Sequence, residues 1–199
     1  MEIELKFKLN NTEEIKNKLN KIKAKFLGKA KEADIYFKSP SFSKNNKELI
    51  FRLRDYGKKG LLTLKYGGSD TKFFKQRNEI ESFVDSAKSI LYILKRLGFK
   101  ESMRKEKIRE TYRLDSCLLL VDKLPFLGYF LEIESSSQRK IKKIVNKLEL
   151  DLKLASPLDY STIFHNFYLN NIKKFENYKQ KIELTFKSEK LFKGFCGLI

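Results

Sequence analysis

The sequence predicts an α+β fold: a closed antiparallel β-barrel of about eight or nine strands with helices packed outside. Two observations carry the prediction. Period-two alternation, the signature of a strand with two different faces, recurs along most of a 199-residue chain. Between the alternating stretches lie segments of helical period, the arrangement in which helices come to cover one face of a sheet.

The elements follow in order. Residues 2–9 alternate strictly, with Glu2, Glu4, Lys6 and Lys8 on one side and Ile3, Leu5, Phe7 and Leu9 on the other. Asn11 or Thr12 is an N-cap ahead of Glu13 and Glu14, and Ile15, Leu19, Ile22 and Phe26 recur at helical spacing up to Gly28. Strands are predicted over 31–37, 49–55 and 60–66, the last two joined by the hairpin turn Tyr56-Gly57-Lys58-Lys59. Residues 77–84 form the next strand, and 86–97 a helix that stops at Gly98. Strands resume over 99–103, 105–114, 117–124 and 128–134. Residues 138–148, with Ile141, Ile144, Val145 and Leu148 in register, form a third helix, and 158–168 a fourth. The pattern weakens after Leu169, although 181–187 alternates like a strand. The chain therefore divides into a main domain, residues 1–170, and a basic extension, 171–199, with seven Lys against three Glu and no assigned role.

The polar side of these strands is unusual. A half-buried strand ordinarily turns its polar residues to water, but here charge recurs in strand after strand: Glu2/Glu4/Lys6, Arg52/Arg54, Thr63/Lys65, Arg77/Glu79/Glu81, Lys107/Arg109, Asp122 and Glu132/Glu134. In a closed barrel, residues two apart on a strand point inward together at roughly 6.5 Å spacing. The interior then becomes a ring of charges, and the apolar core lies between barrel wall and helices. Glu2 with Glu4 and Glu132 with Glu134 offer hard oxygen ligands suited to Mg²⁺ or Mn²⁺. Arg and Lys supply the complementary grip on phosphate oxygens.

Composition narrows the partners. The formal charge of +18 attracts polyanions, namely nucleic acid, an anionic membrane surface, or nucleotide and polyphosphate substrates. No run of about 18 uncharged apolar residues exists to suggest a membrane span, and Met1-Glu2-Ile3-Glu4 is no secretory signal, so a cytoplasmic location is expected. Cys117 and Cys196 stand far apart with one His in the chain, which disfavours zinc and disulfide frameworks and leaves free thiols. Lys72-Phe73-Phe74-Lys75 reads as a loop or a packed edge rather than a base-stacking surface.

The opening Glu2-Ile3-Glu4-Leu5-Lys6 resembles the ExExK signature of the CYTH superfamily, the triphosphate tunnel metalloenzymes, which include class IV adenylyl cyclases, thiamine triphosphatases and inorganic triphosphatases. Later matches come in the family's order: Asp34-Ile35-Tyr36-Phe37, Phe51-Arg52-Leu53-Arg54, Leu62-Thr63-Leu64-Lys65, Arg77-Asn78-Glu79-Ile80-Glu81, Lys107-Ile108-Arg109, Val121-Asp122 and Leu131-Glu132-Ile133-Glu134. The second-strand motif lacks the preceding Gln often seen, and 171–199 has no family counterpart. The resemblance covers about residues 1–169 and implies an eight-stranded antiparallel tunnel.

It further implies that Glu2, Glu4, Glu132 and Glu134, with Asp122, hold one or two divalent cations, Mg²⁺ or Mn²⁺. Lys6, Arg52, Arg54, Lys65, Arg77, Lys107 and Arg109 would bind the substrate's phosphates, with Lys6, Arg54, Lys65 and Arg109 closest to the chemistry. Glu79 and Glu81 also face the expected lumen, Glu81 equally as a structural partner; Asp34 and Tyr36 are weaker candidates. The substrate would be inorganic triphosphate, thiamine triphosphate or ATP, taken by a monomer or homodimer. Hydrolysis is favoured because it needs only the charged cradle, with cyclisation of ATP to cyclic AMP and pyrophosphate as the alternative. A non-catalytic polyphosphate or RNA binder is the reading from a different class, and such a binder has no use for the acidic pairs.

Overall fold

A computed structural model describes residues 2–38, 49–175, 178 and 182–195. Among the described residues, eight strands close into one antiparallel ring: β1 (Glu2–Leu9), β2 (Lys25–Lys38), β3 (Ile50–Asp55), β4 (Gly60–Tyr66), β5 (Lys75–Val84), β6 (Lys100–Leu114), β7 (Cys117–Leu124) and β8 (Gly128–Ser135). Around the ring the order is β1-β5-β4-β3-β2-β6-β7-β8, and β8 returns to β1. Closure removes the free edges that an open sheet of this length would expose. The α-helices that accompany it are α1 (Thr12–Lys21), α2 (Ala87–Arg96), α3 (Gln138–Lys147), α4 (Tyr160–Asn170), α5 (Ile172–Phe175) and α6 (Phe186–Phe195).

The alternation places the core outside the barrel. Ile3, Leu5, Phe7, Leu119, Val121, Leu131 and Ile133 face outward and pack beneath Ile15 and Leu19 of α1 and Ile141, Ile144, Val145 and Leu148 in and just after α3. A second cluster joins Ile35, Phe37 and Leu53 to Ala87 and Leu94 of α2. Fully burying one such aliphatic side chain contributes about 1.5–3 kcal/mol, so these clusters stiffen the wall that carries the inward residues. Residues 72–74 form a loop leading into β5, and Phe74 is packed into the first cluster, in keeping with a loop or packed edge. Caps set the helix starts: the Asn11 side chain accepts from Glu13 and Glu14 N–H at 3.0 and 3.3 Å, and Ser86 accepts from Ser89 N–H at 3.2 Å.

Three expectations change. The first helix stops at Lys21 rather than near Gly28, because Lys23 adopts φ 57° and Ala24 N–H bonds back to Leu19 C=O at 3.0 Å. Phe26, which continued the helical spacing, instead lies on β2 with its ring 5.1 Å from Tyr112 on β6. The segments 99–103 and 105–114 merge into one 15-residue β6, which pairs along nearly its whole length with its 14-residue neighbour β2. In 181–187, Leu184 makes one parallel bridge to Lys105, and a helix begins at Phe186; Lys181 lies outside the described residues. Cys117 is a buried free thiol, and Cys196 also lies outside the described residues.

The basic extension is not detached. Phe175, Leu184 and Phe192 are all buried, with the Phe192 ring 4.3 Å from Phe175 and 6.1 Å from Phe126. Among the described residues, no helix is long and apolar enough to cross a membrane.

Candidate active site

The barrel interior holds a cavity of about 480 Å³. Nine Lys and Arg and seven Asp and Glu line it, so cations are in excess at its surface. Alternation on facing strands is what assembles them. Glu4 on β1 stands opposite Glu134 on β8, and Lys6 opposite Glu132; Arg54 on β3 stands opposite Asp34 on β2; Lys65 on β4 stands opposite Glu79 on β5.

The lumen has an acidic side. Glu2, Glu4 and Glu134 each contribute a carboxylate oxygen to a group whose members lie within 4.8 Å of one another. Burial, reinforced by Glu134, pushes the Glu2 carboxyl up to about 9, and burial pushes Glu134 up to about 7. Such a crowd of carboxylates fits a divalent cation, whose charge would relieve the repulsion and whose preferred ligands are such oxygens.

Elsewhere the carboxylates are already matched to cations. Arg54 grips Asp34 bidentately, Nε to Oδ1 at 2.7 Å and NH2 to Oδ2 at 3.1 Å, and reaches Glu32 at 3.0 Å. Burial raises the Asp34 carboxyl, but Lys105 and Arg54 outweigh it and hold the group well below the usual carboxylate range. Asp122 receives Arg109 at 2.7 and 2.6 Å, Lys107 at 3.0 Å and the Tyr160 hydroxyl at 3.2 Å. Glu132 accepts a short hydrogen bond from Arg109 and lies 3.4 Å from Lys6. Burial opposes its charge, yet Lys6, Lys107 and Arg109 hold it well below its ordinary value.

The structure therefore separates the five acids that the sequence suggests as metal ligands. Glu2, Glu4 and Glu134 cluster; the Glu132 oxygens face Lys6, Lys107 and Arg109; Asp122 stands behind the cations and is absent from the cavity lining. All seven expected phosphate ligands do line the cavity. Arg52 donates to Thr63 Oγ1 at 3.0 Å, while its buried Nε has no hydrogen-bond partner among the described residues. Such an orphaned donor is costly unless a ligand accepts from it. Lys65 makes a short hydrogen bond to Glu79 and lies 3.6 Å from Glu2. Arg77 sits farther out, paired with Asp70 at 2.6 and 3.0 Å. Glu81 accepts from Thr63 at 2.9 Å and lies 3.6 Å from Arg52, so it both lines the cavity and braces it.

Sequence reasoning passed over Lys75, Lys105, Asp159 and Tyr160. Lys75 shares the parity of Arg77, Glu79 and Glu81, and Lys105 that of Lys107 and Arg109, so a longer run of the same alternation finds them. The Lys105 ammonium donates to Tyr36 OH at 2.6 Å, and burial lowers its pKa. Asp159 and Tyr160 had no such signal. They arrive at the start of α4, where Asp159 caps the helix through Thr162 N–H at 2.7 Å and lies 3.5 Å from Lys75. The Tyr160 ring sits 5.1 Å from the Lys6 ammonium and 5.7 Å from those of Lys105 and Lys107.

Comparison with known proteins gives a consistent picture. The sequence model of the CYTH domain family matches residues 1–163. A candidate adenylate cyclase of Methanocaldococcus jannaschii is 33% identical over 136 residues, 68% of this chain and 77% of the relative. Among solved structures, the PH1012 protein of Pyrococcus horikoshii superposes with TM-score 0.70 at 28% identity, covering 80% of this chain and 97% of its own. A candidate adenylyl cyclase of Hippeastrum, described as having a dominant triphosphatase activity, gives TM-score 0.62 over 84% of this chain and 96% of its own. At 16% identity that last likeness speaks for the fold alone.

Proposed function

The chain belongs to the CYTH domain family, and on that premise we propose that it is a cytoplasmic, divalent-metal-dependent enzyme that hydrolyses an inorganic or organic triphosphate. The observation that carries the reading is the division of the lumen. A cluster of three acids without cationic surplus, Glu2, Glu4 and Glu134, shares one cavity with Arg52, Arg54, Lys65, Lys107 and Arg109. A ligand matched to both sides is a polyphosphate carrying a metal ion.

In this reading Glu2, Glu4 and Glu134 hold Mg²⁺ or Mn²⁺. The chemistry such an ion would supply there is Lewis-acid polarisation of phosphoryl oxygen and activation of water. The chain's own residues do the rest. Arg52, with its unpaired Nε, Arg54, Lys65, Lys107 and Arg109 take the phosphate oxygens, orient the chain of phosphates along the lumen, and stabilise the charge that builds on the departing diphosphate. Asp34, Asp122 and Glu132 hold those cations in place rather than meeting the substrate, and Lys6 bridges Glu4 and Glu132 at 3.4 Å each. Arg77 meets the substrate at the cavity edge.

The second reading, cyclisation of ATP with release of pyrophosphate, is favoured by the likeness to the M. jannaschii relative. Product analysis separates them. Purified protein is incubated with inorganic triphosphate, thiamine triphosphate or ATP, each with Mg²⁺, Mn²⁺ or EDTA. Metal-dependent release of phosphate supports the hydrolase, cyclic AMP with pyrophosphate supports the cyclase, and no turnover by folded protein removes both.

A further inference from the structure

A second cavity, of about 390 Å³, adjoins the tunnel along α4, and Ser161 lines both. Its walls come from three parts of the chain: Ser102 and Met103 on β6, Phe164, His165 and Tyr168 on α4, and Glu183 in the C-terminal extension. The family match ends at residue 163, so Phe164, His165, Tyr168 and Glu183 all lie beyond it.

The extension wall is built in. Glu106 N–H donates to Leu184 C=O at 2.7 Å, and Phe186 N–H donates to the Glu106 carboxylate at 3.0 Å. Leu184 is fully buried, and Tyr168 stacks on Phe175 with centroids 5.0 Å apart. This gives the extension a definite place against β6.

The chemistry of the two cavities is opposite. The tunnel is lined by charge; the second cavity has aromatic and apolar walls and a few edge polar groups, His165, Ser102 and Glu183. Its volume lies within the roughly 300–1,000 Å³ usual for small-molecule sites of that character. A bare polyphosphate gains nothing from such walls. A planar heteroaromatic ring gains stacking against the rings and hydrogen bonds at its edge. Ser161, with its small side chain, is common to both linings.

We propose that the second cavity seats the heteroaromatic end of an organic triphosphate, a purine nucleoside triphosphate by chemical class, while its phosphates lie in the tunnel. The proposal rests on the reading of the tunnel as a triphosphate site, so its test must separate the two.

Adenosine, which carries no phosphate, probes the second cavity by itself. Ligand-observed NMR titration of the full chain with adenosine is expected to give saturable binding that excess inorganic triphosphate does not displace and ATP does. Tyr168→Ala, and independently His165→Ala at an exposed position, should each weaken adenosine binding, Tyr168→Ala by about tenfold or more. Melting curves of both variants establish that the fold is kept. Absence of adenosine binding to the parent, or binding that neither variant in its folded form weakens, overturns the proposal. Failure of inorganic triphosphate to bind in a separate titration overturns the tunnel reading instead, and leaves the adenosine result to stand by itself.

Discussion

Two regions of one lumen use the same side chains to opposite ends. Around Asp34 and Asp122, each carboxylate meets guanidinium and ammonium groups at hydrogen-bond distance, and Asp34 is held well below its ordinary pKa. Around Glu2, Glu4 and Glu134, three acids crowd one another while the cations stand farther off, Lys65 at 3.6 Å, Lys6 at 3.4 Å and Arg109 at 3.9 Å, and two of the acids are pushed up to about 9 and about 7. Burial opposes charge in both regions; what differs is how closely the cations approach and how many carboxylates share them. The first region is complete by itself and fixes the cations in space. The second keeps a crowding of carboxylates that a bound cation would relieve, which is why the metal is proposed there.

The comparison breaks most visibly at Arg54. Arg54→Ala leaves buried Asp34 and Glu32 without their main guanidinium, and losing one partner of a buried pair typically costs about 3–5 kcal/mol. Denaturant unfolding should show that loss, together with loss of triphosphate turnover. An unfolding free energy within about 1 kcal/mol of the parent, the range of an exposed pair, would mean that the two regions do not differ in structural weight.

Glu2→Gln tests the other side. Turnover should fall about 100-fold, at the upper end of what loss of a group supporting a metal costs. Stability in EDTA near neutral pH should not fall, because burial and Glu134 already hold this carboxyl in its neutral form there. A variant that keeps full metal-dependent activity would take Glu2 out of the metal site.

The pH dependence sharpens the contrast. Glu2 and Glu134 have folded pKa values above their unfolded ones, so between about pH 4.5 and 9 the native state holds more protons. Their contribution to metal-free stability is therefore full below about pH 4.5 and is lost as pH rises through about 7 and about 9. Asp34 and Glu132 are depressed and act the other way, contributing above the ordinary carboxylate pKa and losing that contribution only in strong acid. Since a cation displaces the extra protons, Mg²⁺ should raise the melting temperature more at about pH 9 than at about pH 6. An equal shift at both values would separate the ion from these carboxylates.

The smallest effect belongs at the rim. Asp70 is exposed and pairs with Arg77 at 2.6 Å. Asp70→Asn should change stability by less than about 1 kcal/mol, the range for solvent-exposed ion pairs, and should reduce turnover only modestly. A large loss of stability would give the rim the structural weight that belongs to the interior pairs.

Much of this site is legible in the sequence. Glu2, Glu4, Arg52, Arg54, Lys65, Lys107, Arg109, Glu132 and Glu134 all lie on strands whose alternation is unbroken, and in a closed barrel parity alone decides which side chains face inward. Lys75 and Lys105 obey the same rule, at the ends of alternating runs where a strand's true limit is hardest to read. Phe26 misleads because helical spacing continues past the true end of α1, where Lys23 turns left-handed. Asp159 and Tyr160 are not readable at all, since nothing in residues 158–168 says where that helix docks.

The sequence by itself determined the strands, the inward charges and the apolar outer wall, because alternation is a local property with a period of two. Only the tertiary structure decided which acids meet cations and which meet one another. Glu132 and Glu134 are two residues apart on one strand and look alike in sequence; ring closure sets one opposite Lys6 and the other opposite Glu4. That choice depends on the register between distant strands, and with it the difference between a carboxylate that holds an arginine and one suited to hold a metal.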